Sequence, residues 1–461
     1  MLFFLKWSHW QFAAGRSLGT RADEGAFFAS GGSMKHSSRK YKALAAVSVL
    51  GLLAATIGSV LAQQKKEITF WHIQSTEPGL SLIKNQVDRY MAANPDVNVQ
   101  VVPLQNDAYK TKIKVAVGAG EAPCVFPSWG GGPLYEYVKA NQVIDLTAML
   151  NEGAYKGRFL NAAFSSITFN NKIYGVPVEN VAVSVFYYNK EMFTKLGIKE
   201  PQTLNELVAA ANKLKANGII PFSLANKTKW TGSMYFMYMV DRLGGAKAFV
   251  SAATRAKGGS FQNPVFVRAG KMLQDWVKAG YFNEGFNGLD YDSGQSRGLL
   301  YAGKAAMELM GNWSTSIMSG ENPEFLKKSG IFPFPVTRAG AAGNVVGTVG
   351  DNYYSISSSC KNPKEAFEMI KFLIDDKAVA ERGEAGRIPP VKGFTPKDPD
   401  LKNIVALVNN APGTQLWYDQ YLTPELGEAH KDTTQALMGL TITPEQAAKT
   451  MEDTAKRVMG K

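Results

Sequence analysis

The sequence predicts an α/β protein of two domains, with a mostly parallel sheet covered by helices in at least the first. Three observations lead to this class. About 400 of the 461 residues follow a predicted signal segment, which is too long for one ordinary core. Strand-like and helix-like segments alternate where that mature chain begins. No repeat of solenoid period and no low-complexity segment is visible, so a repeat architecture is not predicted.

The N-terminal segment predicts export. Residues 34–62 combine a basic start, an uncharged run from Ala43, and small or aliphatic residues before Ala62, the pattern of a secretory signal cleaved after Ala62. A membrane anchor is the alternative, because the run is just long enough to span a bilayer, but its Ala, Gly, Ser and Thr content favours the signal. Residues 1–33 read as an over-extended start. No Cys follows the cleavage point, so we expect a soluble product without a lipid anchor.

The first predicted elements of the mature chain alternate between the period of a strand, two residues, and that of a helix, about 3.6 residues. In order they are a strand at residues 67–73, a helix around residues 82–91, a strand at residues 97–102, a helix around residues 109–117, and a strand at residues 124–129. Ligands of parallel sheets bind outside the carboxyl ends of the strands. The segments 72–77 and 129–132 are therefore expected on one rim.

The later chain has one strong strand signal and two helix starts. Residues 181–188 are strongly β-forming. Thr203 and Glu206 form a capping box, and the helix that they begin is expected to stop at Asn217-Gly218. Thr443 and Gln446 repeat this pattern with a proline in the first turn.

Charge and composition argue against several kinds of partner. Seven of the 51 basic and two of the 39 acidic residues precede Gln63, which leaves a balance of +7 from 44 basic and 37 acidic residues. Those charges are interleaved, and we interpret the densest group, Lys110, Lys112 and Lys114, as a solvated helix face. Nucleic acid is not a predicted partner. Two mature histidines and the lack of any metal-ligand motif predict no metal and no cofactor.

Several aromatic residues lie in polar, loop-like surroundings. Trp129, Trp230, Trp313 and Tyr353 each lie close to Gly, Asn, Asp or Ser, whereas Trp276 has helical periodicity and is expected in a core. A flat exposed ring beside amides and carboxylates suits a sugar, whose ring has an apolar face and a rim of hydroxyls. Core packing explains any one of these rings equally well, so the interpretation depends on the set.

A family resemblance becomes definite at a series of short blocks that extend over nearly the whole mature chain, from residue 67 to about residue 460. The blocks are residues 187–193, 196–198, 201–203, 206–207, 311–313, 350–351, 362–366 and 386–390. In this order and spacing the chain resembles the family 1 extracellular solute-binding proteins of carbohydrate ABC transporters, the maltose-binding type.

The resemblance implies a two-lobed periplasmic-binding-protein fold (type II), in which each lobe is a mixed sheet flanked by helices and hinge strands join the lobes. Lobe 1 would comprise residues 67–180 plus 351–386, and lobe 2 residues 185–347 plus 390–461. The implied function is a high-affinity, non-catalytic sugar receptor in the periplasm or another extracytoplasmic space. It would act as a monomer and deliver a mono- or oligosaccharide to a membrane permease.

The resemblance also implies which residues surround the ligand. Trp230 and Trp313 would stack on sugar rings from the second lobe, while Asp351, Glu179 and Arg387 would bind hydroxyls. An interlobe salt bridge is an equally good interpretation of Arg387. The full predicted set is His72, Gln74, Glu77, Trp129, Glu179, Asn180, Trp230, Trp313, Asp351, Tyr353 and Arg387.

Cys124 and Cys360 are the only cysteines, and an exported protein can form a disulfide. By the resemblance, residues 351–359 return from the second lobe antiparallel to the strand that Cys124 begins. Both thiols would then lie at the same sheet edge, within disulfide distance. Two separately buried thiols are the alternative.

Two other functions remain open at this point. The same fold could bind a non-sugar solute, such as a polyamine, iron or a phosphate ester. Adjacent tyrosines point to opposite faces of a strand, which argues against a shared iron site. A secreted glycosidase would need two paired carboxylates, and no sequence pattern pairs any two of the acids Glu77, Glu179, Asp290, Asp292, Glu308 and Asp351.

Overall fold

The structure, a computed structural model, describes residues 65–460, which belong to one compact unit. The predicted signal segment at residues 34–62 and the predicted over-extended start at residues 1–33 lie outside the described residues. No helix within the described range is both long and apolar enough to span a bilayer.

The first part of the described chain alternates strands and helices as predicted. Its elements are β1 (Lys66–His72), α1 (Gly79–Ala93), β2 (Val97–Pro103), α2 (Asn106–Gly118), β3 (Val125–Ser128), α3 (Gly131–Lys139), α4 (Thr147–Asn151), the 3₁₀ turns Glu152–Arg158 and Asn161–Phe164, β4 (Thr168–Phe169) and β5 (Lys172–Ile173).

The middle of the chain builds a second sheet and its covering helices. Its elements are β6 (Asn180–Asn189), α5 (Lys190–Lys195), α6 (Leu204–Ala216), β7 (Ile220–Phe222), α7 (Trp230–Ala253), α8 (Pro264–Lys278), the 3₁₀ turn Phe286–Gly288, α9 (Gln295–Tyr301), β8 (Ala305–Gly311), α10 (Trp313–Glu321), α11 (Pro323–Lys328), β9 (Ser329–Phe332) and β10 (Val345–Asp351).

The last part returns to the first sheet and then adds helices to the second. Its elements are β11 (Tyr353–Ile356), α12 (Pro363–Leu373), α13 (Asp376–Glu384), α14 (Pro399–Asn410), β12 (Thr414–Gln415), α15 (Tyr418–Tyr421), α16 (Pro424–Met438) and α17 (Pro444–Met459). Both predicted capping boxes are confirmed, at the starts of α6 and α17.

Two main sheets organise these elements, which confirms the α/β class. The first has the order β2-β1-β3-β11, with β1, β2 and β3 parallel and β11 antiparallel to β3. The second has the order β12-β10-β6-β8-β7, with β9 also paired to β6. Because β10 pairs with β6 and the next strand, β11, pairs with β3, the chain passes from one sheet to the other at Asp351–Tyr353.

Each sheet has its own apolar core, and we name the two bodies around them the first and second lobe. Buried members of the first core run from Ile68 to Val178 and from Tyr353 to Ile374, with Val391 added. Those of the second run from Val181 to Val346 and from Ile388 onward. On this basis we propose that the lobes have the predicted limits, residues 67–180 plus 351–386 for the first and residues 185–347 plus 390–461 for the second. Trp276 packs in the second core, as predicted, with 5% of its surface exposed.

A disulfide joins Cys124, directly before β3, to Cys360, in the loop after β11. The Cα atoms are 4.5 Å apart. Tyr353 pairs with Ser128 and Ile356 with Val125, so the antiparallel register places both cysteines at the same end of the sheet. This end is opposite to the one that carries Trp129.

Candidate functional site

A cavity of about 160 Å³ lies between the two lobes, at the carboxyl ends of β1 and β3. Residues from the first lobe, from the second lobe and from the segments that cross between them line it. Nine of the predicted site residues are among them: Gln74, Glu77, Trp129, Glu179, Asn180, Trp230, Trp313, Asp351 and Arg387.

One side of the cavity is a hydrogen-bonded network of charged and polar side chains, which we name the polar wall (Gln74, Glu179 and Arg387). Arg387 Nη1 donates to Glu179 Oε2 at 2.6 Å, and Arg387 Nη2 donates to Gln74 Oε1 at 2.7 Å. Beneath them, Arg382 donates to the same Glu179 oxygen. Arg387 Nε also reaches Ser316 Oγ of α10 at 3.4 Å, so this side chain bridges the two lobes.

Glu179 holds this network together. Only 1% of it is exposed, and its second oxygen accepts a hydrogen bond from the Tyr354 hydroxyl at 2.9 Å. Burial is the largest single influence on its pKa and raises it, but the charges of Arg382 and Arg387 outweigh burial and hold the pKa below its ordinary value. Because both oxygens already accept hydrogen bonds within the protein, we propose that Glu179 serves as the anchor of Arg387.

The floor of the cavity contains polar atoms that bond to nothing in the described protein. Asp351 lies opposite Asn180 where β10 pairs with β6. Asp351 Oδ1, Asn180 Nδ2 and Asn352 Oδ1 are buried without partners. Burial, with a smaller contribution from the charge of Glu179, raises the pKa of Asp351 to about 7. Buried polar groups are normally paired, so these atoms are suited to meet polar groups of a ligand.

The opposite side is built from rings, and we name it the aromatic wall (Trp230, Tyr291, Trp313 and Trp417). The ring centroid of Trp313 lies 6.2 Å from that of Trp230 and 5.8 Å from that of Trp417. Tyr291 meets Trp230 edge to face at 5.0 Å. The indole nitrogens of Trp230 and Trp417 are buried without acceptors.

The short sequence Gly311-Asn312-Trp313 explains how one ring of this wall is held. Asn312 donates to Val181 O and accepts from Val183 N, which ties the end of β8 to β6. Gly311 leaves room for the indole, because a Cβ there would lie 2.1 Å from a Trp313 ring atom. Trp313 and Trp230 were predicted in loop-like surroundings, and instead each is the first residue of a helix.

Lys110 corrects the interpretation of the lysine cluster as a solvated helix face. Its ammonium lies 4.6 Å from the ring centroid of Trp129 in its own lobe and 6.0 Å from that of Trp230 in the other. Such contacts are attractive because of the ring quadrupole. Lys110 therefore lines the cavity and covers Trp129, while Lys112 and Lys114 are exposed as expected.

His72 and Tyr353 are not among the lining residues, which corrects two predicted contacts. His72 is 1% exposed, its Nδ1 accepts from Gln74 N, and burial lowers its pKa to about 4. Tyr353 is fully buried, and its hydroxyl bonds Ser166 Oγ at 2.9 Å. Alternation along β1 places His72 on the same buried face as Ile68 and Phe70. Tyr353 belongs to β11, in which every residue is buried.

Comparison with known proteins assigns the chain to a family. The model of the bacterial extracellular solute-binding proteins matches residues 73–380, two thirds of the chain. The chain belongs to this family. Membership implies a solute-binding role in an ABC transporter, at a site outside the cytoplasm. The multiple sugar-binding protein of Streptococcus mutans is 26% identical over 367 residues, which cover 77% of this chain and 83% of that protein.

Solved structures confirm the two-lobed solute-binding fold. One comes from work on xylan utilization by the thermophilic bacterium Caldanaerobius polysaccharolyticus. It is 33% identical, with a TM-score of 0.78, and covers 84% of this chain and 99% of its own. A chitin oligosaccharide binding protein is 25% identical, also with a TM-score of 0.78, and covers 86% of this chain and 100% of its own.

Sequence reasoning missed several lining residues of this solute-binding protein. Asn106 and Lys110 follow the carboxyl end of β2, so the rule that placed residues 72–77 on the rim applies to them as well. Tyr291, Trp417 and Asp419 lie outside strands, and no local pattern marks them. In the described part of the chain, no three His, Cys, Asp or Glu side chains are placed to hold a metal ion.

Proposed function

We propose that this chain is an exported, monomeric sugar receptor, which binds a mono- or oligosaccharide between its lobes and delivers it to the permease of an ABC transporter. One observation carries the proposal. Indole rings line one side of the cavity, while buried polar atoms without partners, on Asp351, Asn180 and Asn352, form its floor.

A sugar matches both surfaces at once. Its carbon-hydrogen face packs on an indole, and its hydroxyls donate to Asp351 and accept from the amide of Asn180 and the guanidinium of Arg387. A polyamine, which carries donors and no acceptors when protonated, would leave the Asn180 amide without an acceptor. A phosphate ester would bring its charge toward the Asp351 carboxylate. The names of the Streptococcus mutans relative and of the chitin oligosaccharide binder support the sugar class.

A thermal-shift screen of the mature protein tests the ligand class. The panel contains mono- and oligosaccharides, spermidine, ferric iron and glycerol 3-phosphate, each with and without chelator. A sugar at 100 times its dissociation constant should add about 2.7 kcal/mol to the free energy of unfolding. Stabilisation by spermidine, iron or the phosphate ester alone would contradict the proposal.

A second measurement separates the receptor from a hydrolase. The stabilising sugar is incubated with the protein for a day and then analysed by chromatography. We expect the intact sugar, because the network fixes Glu179 as an anchor for two arginines. Release of shorter products would identify a glycosidase instead.

A further inference from the structure

Tyr291, which the sequence did not single out, touches two of the tryptophans that line the cavity. Its ring meets Trp230 edge to face at 5.0 Å. Its hydroxyl accepts from Trp313 Nε1 at 3.2 Å and lies 3.2 Å from Ser314 Oγ. A hydroxyl can accept and donate at once, so Tyr291 can accept from Trp313 Nε1 while it donates to Ser314 Oγ.

Arg297 in turn holds Tyr291. Its guanidinium carbon lies 4.8 Å from the ring centroid of Tyr291, and Nη1 donates to the Tyr291 carbonyl at 3.3 Å. Arg297 is only 2% exposed and is one of the largest buried side chains among the described residues. The remaining donors Nε and Nη2 form two bonds of 2.8 Å with the carboxylate of Glu321. Such forked pairs fix orientation as well as charge.

Trp313 and Glu321 are the two ends of one helix, α10. Tyr291 therefore fixes the side chain at its start, and Arg297 fixes its last residue. The C-terminal end of α10, next to Glu321, also approaches the first lobe, because a Cβ on Gly320 would lie 2.6 Å from the Glu77 carbonyl oxygen. Helix α10 thus carries a ring of the cavity at one end and a contact to the first lobe at the other.

We propose that Tyr291 and Arg297 are positioning residues, which set the orientation of the Trp313 ring for the ligand. The inference rests on the proposed sugar-receptor function for its binding readout. Tyr291 acts through its hydroxyl on Trp313, and Arg297 acts by holding the ring and carbonyl of Tyr291.

Tyr291→Phe isolates the hydroxyl, because the ring that packs on Trp230 remains. One lost hydrogen bond should weaken sugar affinity by about 3- to 10-fold. Tyr281→Phe is the matched control: Tyr281 also lies in the second lobe, and its hydroxyl donates to Asn212 at 2.7 Å, away from the cavity. The control should bind the sugar as the unaltered protein does.

A double-mutant cycle distinguishes positioning from direct contact. In a Trp313→Ala background, Tyr291→Phe should change affinity by less than about twofold, because the ring that it orients is gone. An undiminished loss in that background would show that Tyr291 binds the ligand itself, and would overturn the inference. Full affinity of the Tyr291→Phe single variant would overturn it too.

A readout without sugar keeps the inference testable if no sugar binds. The Trp313 contribution to fluorescence is obtained by subtracting the spectrum of Trp313→Phe, and its quenching by acrylamide is measured. Tyr291→Phe and Glu321→Gln should both increase this quenching, whereas Tyr281→Phe should not. Unchanged quenching in both variants would contradict the positioning role, while failure of every sugar would contradict only the proposed function.

Discussion

The two walls of the cavity are built by different physical means. The polar wall is held by charge: Glu179 joins Arg382 and Arg387, and all three side chains are buried. The aromatic wall is held by ring packing and a few hydrogen bonds around Tyr291. Substitution of a polar-wall side chain should therefore mainly reduce the stability of the protein, whereas substitution of an aromatic-wall side chain should mainly reduce its affinity for the ligand.

The largest expected effect is on the polar wall. Glu179→Gln leaves two buried guanidinium groups without a carboxylate, and breaking such pairs costs about 3–5 kcal/mol. Denaturant unfolding of the mature protein measures this loss. Glu77→Gln is the control, since Glu77 lines the same cavity but is exposed and should change stability little. Equal stability of the two variants would contradict the anchoring role of Glu179.

The disulfide adds a second constraint, and both of its cysteines lie in the first lobe. It closes a loop with a sequence separation of 236 residues, and replacing both cysteines by alanine should cost about 2–4 kcal/mol of unfolding free energy. Sugar affinity should stay unchanged, because the bond lies at the end of the sheet away from the cavity. Two alkylated cysteines in non-reduced, denatured protein would show that the bond does not form.

A third change tests the approach of the lobes. A Cβ on Gly132 of α3 would lie 2.0 Å from the Leu422 carbonyl of the second lobe. We expect the sugar to hold the lobes together in this arrangement, which we call the closed form. Gly132→Ala should disfavour it by about 1–3 kcal/mol, the cost of overpacking. Sugar affinity should fall and the radius of gyration with sugar should rise, by calorimetry and X-ray scattering. Gly118→Ala, whose Cβ would meet nothing within 4 Å, is the control. An equal affinity and an equal radius of gyration with sugar in the two variants would contradict the contact between Gly132 and Leu422.

The smallest expected effect is the pH dependence of sugar affinity that Asp351, on the floor of the cavity, should cause. A hydroxyl that donates to Asp351 favours the ionised form, so sugar affinity should fall as pH drops below about 7, by at most about tenfold per pH unit. In the ligand-free protein, the contribution of Asp351 to stability should show the opposite trend. The folded state binds this proton more tightly, so the part of the unfolding free energy that Asp351 contributes declines as pH rises from 3.8 to about 7.

Asp351→Asn separates this group from Asp107, which burial brings to a pKa of about 6. Calorimetry from pH 5.5 to 8 should show a clearly weaker pH dependence in the variant. An equal dependence in both proteins would assign the titration to another group.

The sequence predicted the strands better than the cavity. β1, β2 and β6 are runs of β-branched and aromatic residues, and local periodicity is enough to identify them. The glycine in Gly311-Asn312-Trp313 marks a place where an indole folds back on the chain, which a single sequence cannot reveal. Trp417 and Tyr291 reach the cavity only because helices distant in sequence pack together. His72 was assigned to the rim by its position at the end of β1, but strand alternation turns it inward. Tyr353 was chosen for its polar surroundings, and β11 is buried along its whole length.

The central claim is that the tryptophans of the aromatic wall bind the ligand and do not merely complete a core. Calorimetry with the best stabilising sugar should show that Trp313→Ala loses about 1–3 kcal/mol of binding free energy, from the apolar surface no longer buried, while the protein stays folded. Trp71→Ala is the matched control, because Trp71 is also half-buried, lies against Lys112, and does not line the cavity. A loss confined to Trp313→Ala is the predicted result. Unchanged affinity of Trp313→Ala, or an equal loss in both variants, would contradict the account.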